Sequence, residues 1–153
     1  MKISTKSRYA LRIMIYLAEH YTLGYIPLKD ISDQEELSLK YVEHIMSKLV
    51  KSGLVIGLPG SHGGYKLSRL PSEYNVNQIL KLMETNNCFT PCSLADKNEC
   101  PRKYKCISTD VWQLVQTTID ELLDNVSLVD ILRMQEEKLQ IPSLYLAFLK
   151  HKK

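Results

Sequence analysis

Residues 27–67 read PLKDISDQEELSLKYVEHIMSKLVKSGLVIGLPGSHGGYKL, and a change of hydrophobic period inside this stretch decides the fold. Pro27 is preset for a first helical turn, and Leu28 and Ile31 then fall on one face of a short helix ending near Asp33 to Glu36. Ser38 is a good N-cap for the next helix, which places Leu39, Val42, Ile45, Met46 and Leu49 on one side and stops at Gly53. Its other side carries Lys40, Tyr41, Glu43, His44, Lys48 and Lys51. After Gly53, Leu54-Val55-Ile56 and Tyr65-Lys66-Leu67 predict two short strands. They are joined by GLPGSHGG, whose glycines and proline allow tight turning and close approach of the backbone to a partner.

Upstream, Ala10, Ile13, Met14, Leu17, Ala18 and Tyr21 recur at helical intervals, with Thr5 offered as N-cap and Gly24 as stop. Three helices followed by a hairpin is the order of a winged helix-turn-helix; a generic α+β fragment would give the same order, and the pattern favours the winged form. Downstream, Val76, Ile79, Leu80 and Met83 predict a further helix. A longer one then carries Val111, Leu114, Val115, Thr118, Ile119, Leu122 and Leu123 as a broad apolar stripe. That stripe must be covered by the helix's own domain or by a second subunit. Asn125 and Ser127 interrupt it before a shorter helix from Leu128 towards Glu137, and the chain closes on the apolar-then-basic IPSLYLAFLKHKK. The expected fold is mainly α with a small β-hairpin. Its expected parts are a winged helix-turn-helix domain at 1–85, a cysteine-rich loop at 86–107, a long-helix region at 108–137 and a tail at 138–153.

With 153 residues, 44% hydrophobic and 24% charged, the chain has the make-up of one ordinary globular domain with an extension, which excludes two large domains. No apolar run approaches the roughly 18 residues of a membrane span. Charges recur inside MKISTKSRYALRIMIYLAEH and no small-residue cleavage site follows, so a cytoplasmic protein without a secretory signal and without a membrane partner is expected. The formal net charge of +3 divides into +4 over residues 1–72 and −1 over residues 73–153. The basic excess permits an electrostatic footprint for nucleic acid in the first half and equally fits a plain solvated surface.

All four cysteines lie within CFTPCSLADKNECPRKYKC, as Cys88, Cys92, Cys100 and Cys106. In a reducing compartment such a cluster binds metal or senses redox more readily than it staples a fold. Cys92, Cys100 and Cys106 are spaced C-x7-C-x5-C. Thiolates are soft anionic ligands suited to iron in a sulfide cluster. Zinc is the main alternative, although the CxxC pairs of most structural zinc sites are missing; unliganded redox-active thiols are another.

Taken together, MKISTKSRYALRIM, PLKDIS, LSLKYVEHIMSKLVKSGLV, GGYKLSR, the spaced cysteines, and Val111-Trp112 followed by VSLVDIL resemble the bacterial Rrf2 regulator family over roughly residues 1–135. That family includes iron–sulfur regulators, a nitric-oxide sensor and a cysteine-metabolism repressor. The resemblance implies a winged helix-turn-helix, a long dimerisation helix in the region 108–137, and a homodimer on a partly palindromic double-stranded DNA operator. Ser38, Lys40, Tyr41 and His44 then lie at the recognition-helix end that meets major-groove base edges, and Lys48 beside phosphate. Ser61, His62, Gly63, Gly64 and Tyr65 form the DNA-facing wing, in which Leu58-Pro59 stands where iron–sulfur regulators commonly carry an arginine. In the cluster-binding branch three cysteines so spaced hold an iron–sulfur cluster, which implies Cys92, Cys100 and Cys106 as ligands, with 2Fe–2S preferred to 4Fe–4S. Such a cluster can be lost in aerobic preparations. A fourth ligand that some members take from a histidine is here Thr109, and positions that others fill with an acidic residue of the partner's first helix correspond to Arg8 and Arg12. Cys88 is the natural substitute, Asp110 a second, and a small thiol or water a third; Cys88 is equally readable as an idle thiol.

The reading is therefore a DNA-binding transcriptional repressor modulated by an iron–sulfur cluster, with a cluster-free thiol-redox or cysteine-metabolism repressor as the alternative. A redox or cluster-handling enzyme fits less well: the chain has no phosphate-binding glycine motif, no Ser-His-Asp or HExxH constellation and no CxxC pair, and His20, His44, His62 and His151 are dispersed.

Overall fold

In the computed structural model the described residues are 3–60, 63–84, 88–94 and 99–136. They form helices α1 (Thr5–Glu19), α2 (Leu28–Glu35), α3 (Leu39–Lys51), α4 (Val76–Met83), α5 (Ser108–Asp124) and α6 (Leu128–Glu136), with strands β1 (Val55–Leu58) and β2 (Gly64–Leu67) between α3 and α4. The architecture is thus mainly helical with one hairpin. Ser61, His62 and the C-terminal tail lie outside the described residues.

Helix α1 is the hub. Ala10, Ile13, Met14 and Leu17 are almost fully buried on the face that α2, α3, α4 and α6 share. Ile31 from α2, Val42, Ile45, Met46 and Leu49 from α3, Ile79 and Met83 from α4, and Leu128 from α6 complete the core. Each such side chain withdraws apolar area from water for about 1.5–3 kcal/mol. Four expectations need correction. The N-cap of α1 is Ser4 and not Thr5: the Ser7 N–H donates to Ser4 Oγ at 3.2 Å. The helix ends at Glu19, and Gly24, at φ 84°, reverses the chain only after a separate turn over Tyr21–Leu23. Tyr21 belongs to that turn and is exposed rather than part of the buried stripe. Leu39 is half exposed because, as the first residue of α3, its side chain leans back over the turn before the helix, where no core waits for it.

Ser38 caps α3 by accepting from the Tyr41 N–H at 3.4 Å, and Gly53, at φ 75°, supplies the left-handed residue that turns the chain into the hairpin. The strands pair antiparallel with Val55 opposite Leu67 and Leu58 opposite Gly64. Ile26, just ahead of α2, adds a strand-like bridge to Tyr65: Ile26 N–H donates to Tyr65 O at 2.9 Å and Tyr65 N–H to Ile26 O at 2.8 Å. At the hairpin base, buried Tyr74 donates its hydroxyl to Leu54 O at 2.8 Å, accepts from Arg69 N–H at 2.9 Å and lies 2.9 Å from Ser68 Oγ. The Arg69 guanidinium covers the same ring at 4.7 Å. One phenol thereby ties both ends of the hairpin to the helical body.

The break between α5 and α6 is built by Ser127 and Asp130. Ser127 N–H donates to Asp130 Oδ2 at 2.9 Å and Asp130 N–H returns to Ser127 Oγ at 3.1 Å, a reciprocal helix start. Val76 N–H donates to Val126 O at 3.0 Å, so the junction is pinned to the beginning of α4.

Candidate nucleic-acid interface and cysteine segment

The outer face of α3 presents the side chains expected of a recognition helix. Ser38, Lys40 and His44 are exposed, whereas Tyr41 and Lys48 are half-buried. Tyr41 is held by packing: its ring meets Tyr9 of α1 edge-on at 6.0 Å and 88° and leans on the core. Arg12 sits 5.5 Å over that Tyr9 ring and approaches buried Glu35 of α2 at 2.6 Å, Nε to Oε2. Burial pushes the Glu35 carboxyl up, and Arg12 opposes it through charge and hydrogen bonding. A chain of contacts from Glu35 through Arg12 and Tyr9 to Tyr41 thus connects α2 to α3 by way of α1. The turn between α2 and α3 places Glu36 at φ 54°, a left-handed conformation unusual for a residue with a side chain.

At the far end of α3, Lys48 meets Lys6 from the first turn of α1. Hydrogen bonding to Lys48, then partial burial and the charge of Lys48, lower the Lys6 pKa, while Glu84 pulls it the other way. Glu84, at the end of α4, accepts from Ser4 N–H at 2.7 Å and from the Ser7 hydroxyl. Partial burial pushes the Glu84 carboxyl up, but the Ser7 and Ser4 hydrogen bonds and the Lys6 charge outweigh it and hold the net value below the ordinary one. The carboxylate stands where the N-terminal dipole of α1 favours negative charge. Neither Lys6 nor Glu84 was singled out by the sequence reading; only the basic character of MKISTKSRYALRIM hinted at Lys6.

In the hairpin, Gly63 N–H donates to Gly60 O at 3.0 Å, and a Cβ on Gly63 would stand 2.0 Å from Leu58 O. Gly64 is buried and a Cβ there would meet Ile26 O at 2.4 Å, so the bridge from Ile26 to Tyr65 needs a glycine beside it. Tyr65 is half-buried and, with Glu43, Ser47, Val50, Lys51, Leu58 and Pro59, lines a groove of about 450 Å³ between α3 and the hairpin.

The cysteine segment lies against α5. Cys88, Cys92 and Cys106 are partly exposed, Cys100 is exposed, and none of the four is in a disulfide. Cys92 occupies the short turn Pro91–Ser93, with its Sγ 3.2 Å from Thr90 Oγ1. Cys106 stands at the start of α5: its carbonyl accepts from Thr109 N–H at 3.0 Å and its Sγ lies 3.1 Å from Ser108 Oγ. Hydrogen bonds from the Ser108 and Thr109 side chains hold this thiol below the ordinary cysteine value. The donor set, soft thiols flanked by hydroxyls, fits iron or zinc chemically. Among the described residues no three His, Cys, Asp or Glu side chains gather closely enough to hold a metal ion. Asp110 is exposed in the first turn of α5. Of the apolar stripe, Val111 and Leu114 are 52% and 68% exposed, while buried contacts on this helix come from Thr109 and Gln116. Gln116 escaped sequence reasoning because a polar residue beside an apolar stripe reads as solvent-facing.

Comparison with known proteins adds the family. The Rrf2 model, described as an iron-dependent transcriptional regulator, matches residues 3–134. The transcriptional regulator IscR of Aliivibrio salmonicida (strain LFI1238) is 34% identical over 132 residues, covering 86% of this chain and 77% of the relative. The solved structure of T. potens IscR superposes with a TM-score of 0.72 at 32% identity, covering 92% of each chain. CymR, the global cysteine regulator of B. subtilis, superposes at 0.68 and 34% identity, covering 86% of this chain and 95% of that one. With a helix-turn-helix and hairpin in the expected order, and with relatives named as helix-turn-helix regulators and not as enzymes, the chain belongs to the Rrf2 family of transcriptional regulators.

Proposed function

We propose that the chain is a cytoplasmic operator-binding repressor that acts as a homodimer and whose grip on DNA is modulated by an iron–sulfur cluster held by Cys92, Cys100 and Cys106, with Cys88 as fourth ligand. The observation that carries this reading is the attachment of the cysteine segment to α5 on both flanks. Cys106 abuts the first turn of that helix, and the turn containing Cys92 packs along it. Any ligand that draws the thiols together therefore acts on the helix whose Val111 and Leu114 are exposed. If those stripes pair across a two-fold axis, α5 sets the separation of two recognition helices, which operator half-sites fix at about one helical turn. A coupling of about 1–3 kcal/mol between the thiol site and DNA is the usual range for such linkage.

In this reading Ser38, Lys40 and His44 meet base edges, Tyr41 sets the pitch of α3 through its packing on Tyr9, and the neighbouring Lys48 and Lys6 take backbone phosphate. Gly63, Gly64 and Tyr65 belong to the wing side, and Ser61 and His62, outside the described residues, are assigned to it from sequence. The test is anaerobic reconstitution with iron and sulfide, followed by operator binding with and without reconstitution. A brown protein, bleached by Ala at Cys92, Cys100 or Cys106, with DNA affinity changed about 5- to 150-fold supports it. Colourless protein after reconstitution refutes the cluster; equal affinity in both forms refutes the coupling. Cys88→Ala with an unchanged spectrum would shift the fourth position to Asp110 or an exogenous ligand. One observation favours a second reading, a cluster-free thiol switch: an oxidised form of Staphylococcus aureus CymR superposes at 0.65 and 31% identity.

A further inference from the structure

We propose that Gln116 is a positioning residue for the cysteine site, its side-chain carbonyl setting where Cys88 and Cys92 stand by holding the residue that follows each of them. Gln116 Oε1 accepts from Phe89 N–H at 2.7 Å. The same oxygen lies 3.2 Å from Ser93 Oγ, whose proton it shares with Thr90 O at 2.7 Å. Phe89 follows Cys88 and Ser93 follows Cys92, so one amide grips the segment at both cysteines. The grip is built rather than incidental: Gln116 and Ser93 are only 5% and 4% exposed, so the accepting oxygen and the hydroxyl beside it are withdrawn from bulk water. One helical turn earlier, Trp112 stacks on Phe89 at 5.6 Å and 27°, and residues four apart share a helix face. Ser93 N–H donates to Thr90 O at 3.0 Å and Thr90 N–H to Ser93 Oγ at 3.3 Å, closing the turn with Cys92 inside it. The other half of the segment contrasts with this: Cys100, Tyr104 and Ile107 are exposed, the last two at 89% and 88%. The stretch holding Cys88 and Cys92 is thus tied to α5, while Cys100 stands exposed.

The inference rests on the cluster reading only for what the thiols bind. Its test uses the full chain with Gln116→Met, which keeps length and bulk but removes the acceptor, and Gln116→Glu, which keeps it. In metal-free protein, Gln116→Met should raise the exchange rate of the Phe89 amide about tenfold and increase acrylamide quenching of Trp112, the single tryptophan, while Gln116→Glu stays near wild type. After anaerobic loading with iron and sulfide, the visible spectrum should bleach about tenfold faster under a chelator in Gln116→Met, with Gln116→Glu rescuing it. Unchanged Phe89 exchange in Gln116→Met overturns the clamp, and so does a wild-type bleaching rate once the amide has loosened. If Gln116→Met does not fold, an unprotected Phe89 amide in the wild-type chain overturns the proposal and a protected one supports it. A wild-type chain that takes up no iron and sulfide while Phe89 responds as expected sinks the cluster reading and leaves the clamp standing.

Discussion

Replacing Tyr74 with Phe isolates one oxygen atom on which the hairpin's attachment depends. The ring, 1% exposed, keeps its packing, and only the hydroxyl is lost. Three groups notice. Leu54 O loses its 2.8 Å donor but keeps Ser68 N–H at 3.2 Å. Ser68 Oγ keeps its 2.6 Å bond to Gly53 O. Arg69 N–H loses its 2.9 Å acceptor, and because Arg69 is exposed, water can take its place. The loss is therefore that of one buried, partly compensated hydrogen-bond set, about 1–2 kcal/mol and not the 3–5 kcal/mol of a deleted aromatic side chain. For a chain of this length about 1 kcal/mol moves the melting midpoint by roughly 2–4 °C, so Tyr74→Phe should melt about 2–8 °C lower. Urea unfolding should show a lower midpoint with unchanged slope at fixed protein concentration. Operator binding should weaken with a steeper loss for wing contacts than for α3 contacts, since the hairpin base loosens while α3 stays packed. A midpoint within the error of wild type would refute the assignment of the phenol as the hairpin's anchor.

Three further outcomes test other parts of the molecule. His44→Ala should relax operator preference at a cost of about 1–3 kcal/mol, while Lys48→Ala should weaken binding to all sequences and flatten the salt dependence by about one, both read by gel shift over a salt series. Leu122→Asp should convert a micromolar dimer to monomer in sedimentation, since a charge on the α5 stripe opposes its burial; a wild-type monomer would end the dimer reading. Glu84→Gln should lower stability at neutral pH by about 0.5–1.5 kcal/mol, because the hydrogen bonds from Ser4 and Ser7 lose their charge assistance. The Glu84 pKa is depressed in the folded chain, so its stabilisation is present above the ordinary glutamate range near about 4.3 and disappears as pH falls through the lower folded value. The gap between variant and wild type should therefore close in acid, and a gap that persists there would assign the effect to shape instead of charge.

Local sequence was sufficient for elements whose signals are local. The three- and four-residue spacing of Ala10, Ile13, Met14 and Leu17, the Ser38 cap and the Gly53 stop each operate within a turn or two, and the helices and hairpin lie where those signals put them. The cysteine spacing, too, is a property of the chain. Tertiary structure decided whatever depends on residues far apart in sequence. The 80-residue reach from Glu84 to Ser4, the bond from Tyr74 to Leu54 and the grip of Gln116 on Phe89 join side chains that no periodicity connects. Gln116 and Glu84 are polar residues that a sequence assigns to solvent; folding buries the first and half-buries the second, and each there accepts from a backbone N–H distant in sequence. Conversely, Leu39 and Leu114 carry the apolar character of core residues and stand exposed in the single chain. Hydrophobicity states that a side chain prefers to leave water, and only the packed neighbours determine whether there is anywhere for it to go.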